Sequence, residues 1–297
     1  MPRLIEYEDE VAIELDECVD ILGDEGFAPY CEASLARGAL ALRQLTNNRK
    51  FLGDILVGQL AGNHREAGPE SAYGPQAVVL SRIRGGCFLR ANIWPSERDS
   101  VFRASGAKTF VYGVPHDHNF SFLTAGYFGP GYESDYYEYD YETTAGYMGE
   151  RPGLRFVERS ALSEGKMMLY RAHRDIHSQL PAQSMSVSLN IMHIDPAQGW
   201  VDQYGFDLES GEITGVLNPT STECFLRCAV GLGGAEAIDL AEHFGRRHPS
   251  DRLRLASYEA RALLGGDIDA LWREAERSGS VMVASEAAAR RRELERV

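Results

Sequence analysis

No apolar stretch in this 297-residue chain approaches the roughly 20 residues that a membrane-spanning helix needs, so no membrane partner is expected. Basic clusters are equally scarce. The formal net charge is −14, and the one arginine run, Arg290 to Arg292, sits in the alanine-rich stretch 287–296. That run reads as a solvated helix end carrying cations where the helix dipole favours them. An acidic chain without a basic patch argues against nucleic acid as a partner. Cysteine is sparse too: Cys18, Cys31, Cys87, Cys224 and Cys228 are odd in number and scattered, which is no disulfide framework. They read as reduced thiols, mostly buried, and Cys224 and Cys228 lack a histidine or cysteine at metal spacing. The chain opens with Glu6, Glu8, Asp9 and Glu10 where a secretory leader would be basic and then apolar, so a cytoplasmic location is expected.

What the sequence does carry is ordinary core material, 44% hydrophobic residues, arranged in three blocks. Residues 11–60 show helical periodicity, with Val11, Leu15, Cys18, Val19 and Leu22 on one face and further packing helices over 35–45 and 51–60. The polar stretch 61–75 reads as a loop. From residue 76 the period changes to that of short strands, over 76–83, 87–94, 108–112, 120–128, 136–141, 154–158, 166–170 and 185–192, separated by Gly, Pro, Asp and Ser. Short strands in close succession without helices between them predict an antiparallel sandwich or barrel. Helix returns over 225–232, 235–244, 251–264, 267–276 and a last run to 297. The expected plan is an N-terminal helical segment (1–74), a β-barrel (75–220) and a C-terminal helical segment (221–297): mainly β with helical flanks, α+β overall.

His116 and His118 stand two residues apart in a run rich in β-branched and aromatic residues. Residues i and i+2 of a strand point to the same face, so both imidazoles can converge on one ion if that face looks into a cavity. Neutral imidazole is the commonest metal ligand among side chains near neutral pH. A third ligand has to come from elsewhere, and the best source is the segment 164–178, where a glycine turn precedes a strand and a polar turn leads to His177. His173, four residues earlier, lies in a turn-like patch between Ala172 and Arg174 and is expected to be exposed or to act behind the ligands. His193, His64, His243 and His248 read as structural. In 186–192, Ser186, Ser188, Asn190 and Met192 share one face, while Val187, Leu189 and Ile191 share the other.

With Gly113, His116 and His118 as one motif and Gly165 with His177 as a second, the chain resembles the cupin superfamily, and the resemblance implies a jelly-roll β-barrel. Most cupins add a glutamate ligand shortly after the histidine pair. Here Ser121, Phe122 and Leu123 occupy that region, so a site of three histidines without carboxylate is implied. Over about 85–215 the chain is similar to thiol dioxygenases of the cysteine dioxygenase type, whose iron(II) sits on three histidines. By that resemblance Arg90, in the strand before the histidine pair, would salt-bridge a substrate carboxylate, as the planar guanidinium fork suits. Residues 204–211 resemble the next hairpin of that family.

The departures shape the expectation. Where the family strand carries Ser-x-His-x-Tyr, this chain has Ser188, Asn190 and Met192, and no cysteine stands between Cys87 and Cys224 for a crosslink. Ser188, Asn190 and Met192 are therefore expected around the ligands without the family's proton-handling pair, with Tyr204 and Tyr112 the first candidates to replace it. Cysteine is then a poor substrate. Non-heme Fe(II) is the expected ion because it is redox-active and accepts imidazole, although histidine ligation alone leaves nickel, manganese and copper open. The expected partners are dioxygen and a small amino-acid-like or carboxylate-bearing molecule, and a homodimer is compatible with this reading. A carbon–carbon-cleaving or isomerising metal cupin, and a non-catalytic ligand-sensing one, are the alternatives. Finally, the run 132–142 alternates tyrosine and acid, which predicts a half-buried strand with Tyr137, Tyr139 and Tyr141 on one face and Glu138, Asp140 and Glu142 on a solvated edge or at the barrel mouth.

Overall fold

The computed structural model describes residues 2–62 and 76–296; the loop expected over 61–75, with His64, lies almost wholly outside them. Two compact units divide the chain, one of residues 1–139 and 154–198 and the other of 140–153 and 199–297.

In the first unit a six-stranded antiparallel sheet runs in the order β1-β7-β4-β9-β3-β2, made of β1 (Arg3–Ile5), β2 (Ala77–Val79), β3 (Cys87–Trp94), β4 (Phe122–Phe128), β7 (Met167–Tyr170) and β9 (Ser186–His193). A second antiparallel sheet, β6-β5-β8, comprises β5 (Glu133–Glu138), β6 (Arg155–Ala161) and β8 (Asp175–Leu180). Alternation decides which side each residue serves. One face of the large sheet presents Cys87, Leu89, Ala91, Leu123, Ala125, Met167, Leu169, Leu189 and Ile191 to helices α1 (Leu15–Glu25), α2 (Glu32–Asn47) and α3 (Phe51–Ala61), which cover it with Leu22, Leu35, Leu42 and Leu45 among others. The opposite face sends Phe88, Trp94, Phe122, Met168, Tyr170 and Met192 into a second core shared with Tyr132 and Tyr136 at the small sheet. Both faces of the large sheet are thus buried, which is why its strands read as nearly continuous apolar runs.

Several elements differ from expectation for local reasons. Residues 108–112, expected as a strand, form a 3-10 turn over Ala107–Phe110, entered through Gly106 (φ 80°) and left through Val111, whose φ of 63° is a left-handed conformation that β-branched residues rarely adopt. Helix α1 starts at Leu15, not at Val11, because the Glu17 carboxylate accepts the Glu14 N–H (2.9 Å) and fixes the N-terminus there. The alternating tyrosine run is a strand only over Glu133–Glu138, and its buried members are Tyr132, Ser134, Tyr136 and Tyr139. Glu138, expected at a solvated edge or the mouth, is held by Arg155, Arg171 and Arg174.

The second unit holds the hairpin β10 (Tyr204–Phe206) and β11 (Ile213–Val216) and five helices, α5 (Ser221–Gly231), α6 (Ala235–Arg247), α7 (Asp251–Ala262), α8 (Ile268–Glu276) and α9 (Val281–Leu294), with the short α4 (Ser100–Ser105) belonging to the first unit. Ser250, Asp267 and Ser280 cap α7, α8 and α9 through their side chains. The arginine run closes α9 as expected, with Arg291 and Arg292 in its last turn and Arg292 exposed, but it is not wholly solvated: Arg290 pairs with Glu259 and lies over the Trp272 ring, and Arg291 pairs with Asp269 and Glu276. The cysteines are free, but only Cys18 and Cys87 are buried; Cys31, Cys224 and Cys228 are exposed. Burial pushes the Cys18 thiol up to about 12 and the Cys87 thiol up to about 11, so neither is a thiolate at neutral pH. Among the described residues no helix is long and apolar enough to cross a membrane.

Candidate metal centre

After Tyr112 the chain turns at Gly113, whose φ of 66° is open to glycine and whose N–H donates to the Gln179 carbonyl (2.9 Å). That anchors an extended segment against β8. His116 lies on no named strand, unlike the expectation, yet it exchanges both backbone hydrogen bonds with His177: His116 N–H to the His177 carbonyl at 3.1 Å and His177 N–H to the His116 carbonyl at 3.0 Å. A directly paired residue brings its side chain to the same face as its partner's, and His118 follows at i+2. The backbone therefore aims three imidazoles at one point.

Their Nε2 atoms meet there. His118 Nε2 lies 3.1 Å from His177 Nε2, and His177 Nε2 lies 3.2 Å from His116 Nε2. Ligand atoms of all three fall within 4.8 Å of one another. Three imidazoles each about 2.0–2.1 Å from a shared ion would stand ~2.8–3.4 Å apart for angles between octahedral and tetrahedral, so the spacing suits an ion. His116 Nδ1 lies 2.7 Å from the Val114 carbonyl, which can only accept, so Nδ1 carries the proton and Nε2 presents its lone pair to the centre. His118 Nδ1 and His177 Nδ1 are buried and lack a hydrogen-bond partner among the described residues.

Electrostatics keep the cluster neutral. Burial lowers the pKa of His116; it lowers that of His177 well below the usual range, with His116 adding to it. His118 is also well below, through burial first, then the neighbouring His116 and His177, then the positive charge of Arg90. Three neutral imidazoles converging in this way can each turn an Nε2 lone pair to one divalent cation, which would satisfy all three at once.

Other expected residues fall as follows. Arg90 on β3 faces the shared interior, where its charge reaches His118 and Tyr132. Across the large sheet it pairs with Asn190, which pairs in turn with Thr124. Asn190 Nδ2 donates to the Arg90 carbonyl (3.2 Å), and Ser188 Oγ accepts from Trp94 Nε1 (3.0 Å). Met192 lies between Phe88 and Phe122. Tyr112 is buried, but its hydroxyl is spent on the Pro95 carbonyl (3.0 Å). Tyr204 belongs to the second unit and stacks on Tyr141. His173 is outside the histidine group; its φ of 59° turns the chain so that its N–H donates to the His118 carbonyl (2.8 Å).

Three features around the centre were not singled out from sequence. Phe120 and Phe122 flank the His118 ring at 4.9 and 5.0 Å. Tyr170 packs 4.9 Å from the His177 ring, with its hydroxyl 2.9 Å from that of Tyr136. Thr124 Oγ1 and Asn92 Oδ1 are buried in the same interior and have no hydrogen-bond partner among the described residues. The parity of β3 and β4, which puts Asn92 with Arg90 and Thr124 with Phe122, was the available signal for these polar atoms.

No family model matches the chain, and no curated protein sequence matches it. Solved structures similar to it include a salicylate 1,2-dioxygenase from Pseudaminobacter salicylatoxidans, at 12% identity over 48% of this chain and 33% of that one, with a TM-score of 0.27. A hydroquinone 1,2-dioxygenase in complex with Cd2+ and 4-hydroxybenzonitrile matches at 12% identity over 42% of this chain and 68% of that one, TM-score 0.25. A candidate mannose-6-phosphate isomerase from Ralstonia eutropha JMP134 matches at 12% identity over 45% of this chain and 97% of that one, TM-score 0.22. The chain thus spans a third of the length of the first of these. At such TM-scores the likeness carries no argument, and the chemistry of the site stands on its own residues.

Proposed function

We propose that this chain is a non-heme iron(II) oxygenase of the cupin type, its sheets closing as a jelly-roll barrel around an ion held by His116, His118 and His177. The observation that carries the reading is the convergence of three imidazole Nε2 atoms in a buried interior, with His177 Nε2 3.1 Å from that of His118 and 3.2 Å from that of His116. When bound, iron(II) would supply the redox chemistry that dioxygen needs before it reacts with an organic substrate. The chain's own residues do the rest. Arg90 holds the carboxylate of a small substrate by its planar fork. Asn190 supports Arg90 through the backbone carbonyl, while Thr124 and Asn92 offer unspent polar atoms to the substrate. Phe120, Phe122 and Tyr170 keep water from the imidazoles. A cytoplasmic location and, in the absence of Ser-x-His-x-Tyr, poor use of free cysteine belong to the same reading.

The test is dioxygen consumption by protein purified without a metal-binding tag, reconstituted with iron(II) and screened against small carboxylates and amino acids. Uptake that requires both iron and an organic carboxylate is the expected result. Tightly held zinc with no oxygen consumption would contradict the proposal.

A further inference from the structure

Beside the histidine group lies a cavity of about 510 Å3, bordered by Val79, Ile83, Phe88, Phe120, Met192 and Ile194, with Arg82 among its few charged neighbours. Its inner wall belongs to the interior of the candidate centre. Phe120 lies 4.9 Å from the His118 ring, and Phe88 and Met192 pair across β3 and β9 one alternation away from Arg90 and Asn190. Of the three histidines, His116 and His177 are buried and His118, whose ring Phe120 and Phe122 flank, is partly accessible. The outer rim leaves apolar surface bare: Ile83 is 68% and Val79 46% exposed. An enzyme for cysteine-sized molecules has no use for such a space.

We infer that this cavity receives a hydrophobic arm of the substrate, so that the molecule is a carboxylic acid with its anionic end at Arg90 and an aryl or alkyl body lying against Phe88, Phe120 and Met192. The inference rests on the metal-centre reading above for the position of the anionic end. Its support is spatial order: an arginine inside, then an apolar wall two residues along the same face of β3, then an apolar rim. Two residues of strand span about 7 Å, which matches the distance between a carboxylate and the near edge of a phenyl ring on a short alkyl chain. Burying that ring in place of water favours binding by about tenfold or more.

The probes are 4-phenylbutanoate and butanoate, identical in charge and differing in the apolar arm, titrated calorimetrically into the full chain loaded with iron(II) under anaerobic conditions. Wild type is expected to bind 4-phenylbutanoate at least about tenfold more tightly than butanoate. Ile83→Glu places a charge on the rim without touching the core and should erase that difference, while Ile83→Leu keeps it. Equal affinity for the two acids, no measurable binding of 4-phenylbutanoate, or a preference untouched by Ile83→Glu would each overturn the inference. Metal content measured on the same samples separates the two readings: a phenyl preference in protein that retains no metal supports the cavity and sinks the metal centre, whereas retained iron without the preference does the reverse.

Discussion

At Arg90 shape matters as much as charge. Lysine would keep the positive charge near His118, but a single ammonium cannot reproduce two parallel N–H donors on one carboxylate. A desolvated charge-assisted contact is worth about 1.5–3 kcal/mol, so Arg90→Lys and Arg90→Ala should both weaken a bound carboxylate by about 10- to 100-fold while leaving metal content intact. Perturbation of the metal's spectrum by titrated butanoate reads this directly, and wild-type affinity in both variants would return Arg90 to the scaffold. The histidines show what single residues disclose. His116 and His118 announce themselves by spacing, and His177 by its place after a glycine turn. His173 stays outside the group as its turn-like surroundings suggested, and its left-handed backbone is the conformation of that turn. Strand parity puts Thr124 and Asn92 on the inward face, but that their polar atoms are buried without a partner among the described residues is a property of the packed interior.

Among the elements, the large sheet was the most legible. In β9 the polar set Ser186, Ser188 and Asn190 alternates with Val187, Leu189 and Ile191, and the structure sends the second set to the helices and the first inward. Strand β8 has no legible alternation, because Asp175, His177 and Gln179 sit among residues buried on both faces. Thr109, Phe110, Val111 and Tyr112 have the composition of a strand, yet the chain enters a 3-10 turn over Ala107–Phe110 through Gly106 at φ 80°. Gly126 on β4 marks where backbone approaches backbone. A Cβ there would stand 2.1 Å from the Ser163 carbonyl oxygen, with rigid main chain on the far side. Gly126→Ala should therefore cost about 1–3 kcal/mol or more, seen as a lower thermal midpoint of the first unit. An unchanged midpoint would mean that the β4 approach is looser than described.

For the molecule as a whole, burial of uncharged histidines links stability to pH. In the folded chain His116, His118 and His177 have pKa values below the ordinary one near 6.5, chiefly through burial, and His173 and His193 are shifted the same way. Below about pH 6.5 the unfolded chain therefore takes up protons that the folded chain refuses, so stability is greatest above that value and falls as pH drops through it. Urea midpoints of metal-free protein should decrease between about pH 7.5 and 5.5. A midpoint that rises or holds constant over that window would show that these imidazoles are not buried neutral. The order of helices, strands and then helices was readable from periodicity, except for β1 (Arg3–Ile5), which lies in the stretch read as helical and pairs with β7. The division into units was not, since residues 140–153 join the C-terminal helices only through contacts made at long range, such as Glu286 accepting the Met148 N–H.

The most direct test of the central claim is metal content by elemental analysis of untagged protein grown with iron, comparing wild type with His116→Ala, His118→Ala, His177→Ala and His173→Ala. Loss of a ligand removes a bond from the ion, whereas loss of a supporting residue weakens affinity by about 10- to 100-fold at most. The account expects close to one iron per chain in wild type, near-complete loss in the three ligand variants, and metal still detectable in His173→Ala. Equal metal in wild type and all three ligand variants, or no metal in any of them, would contradict it.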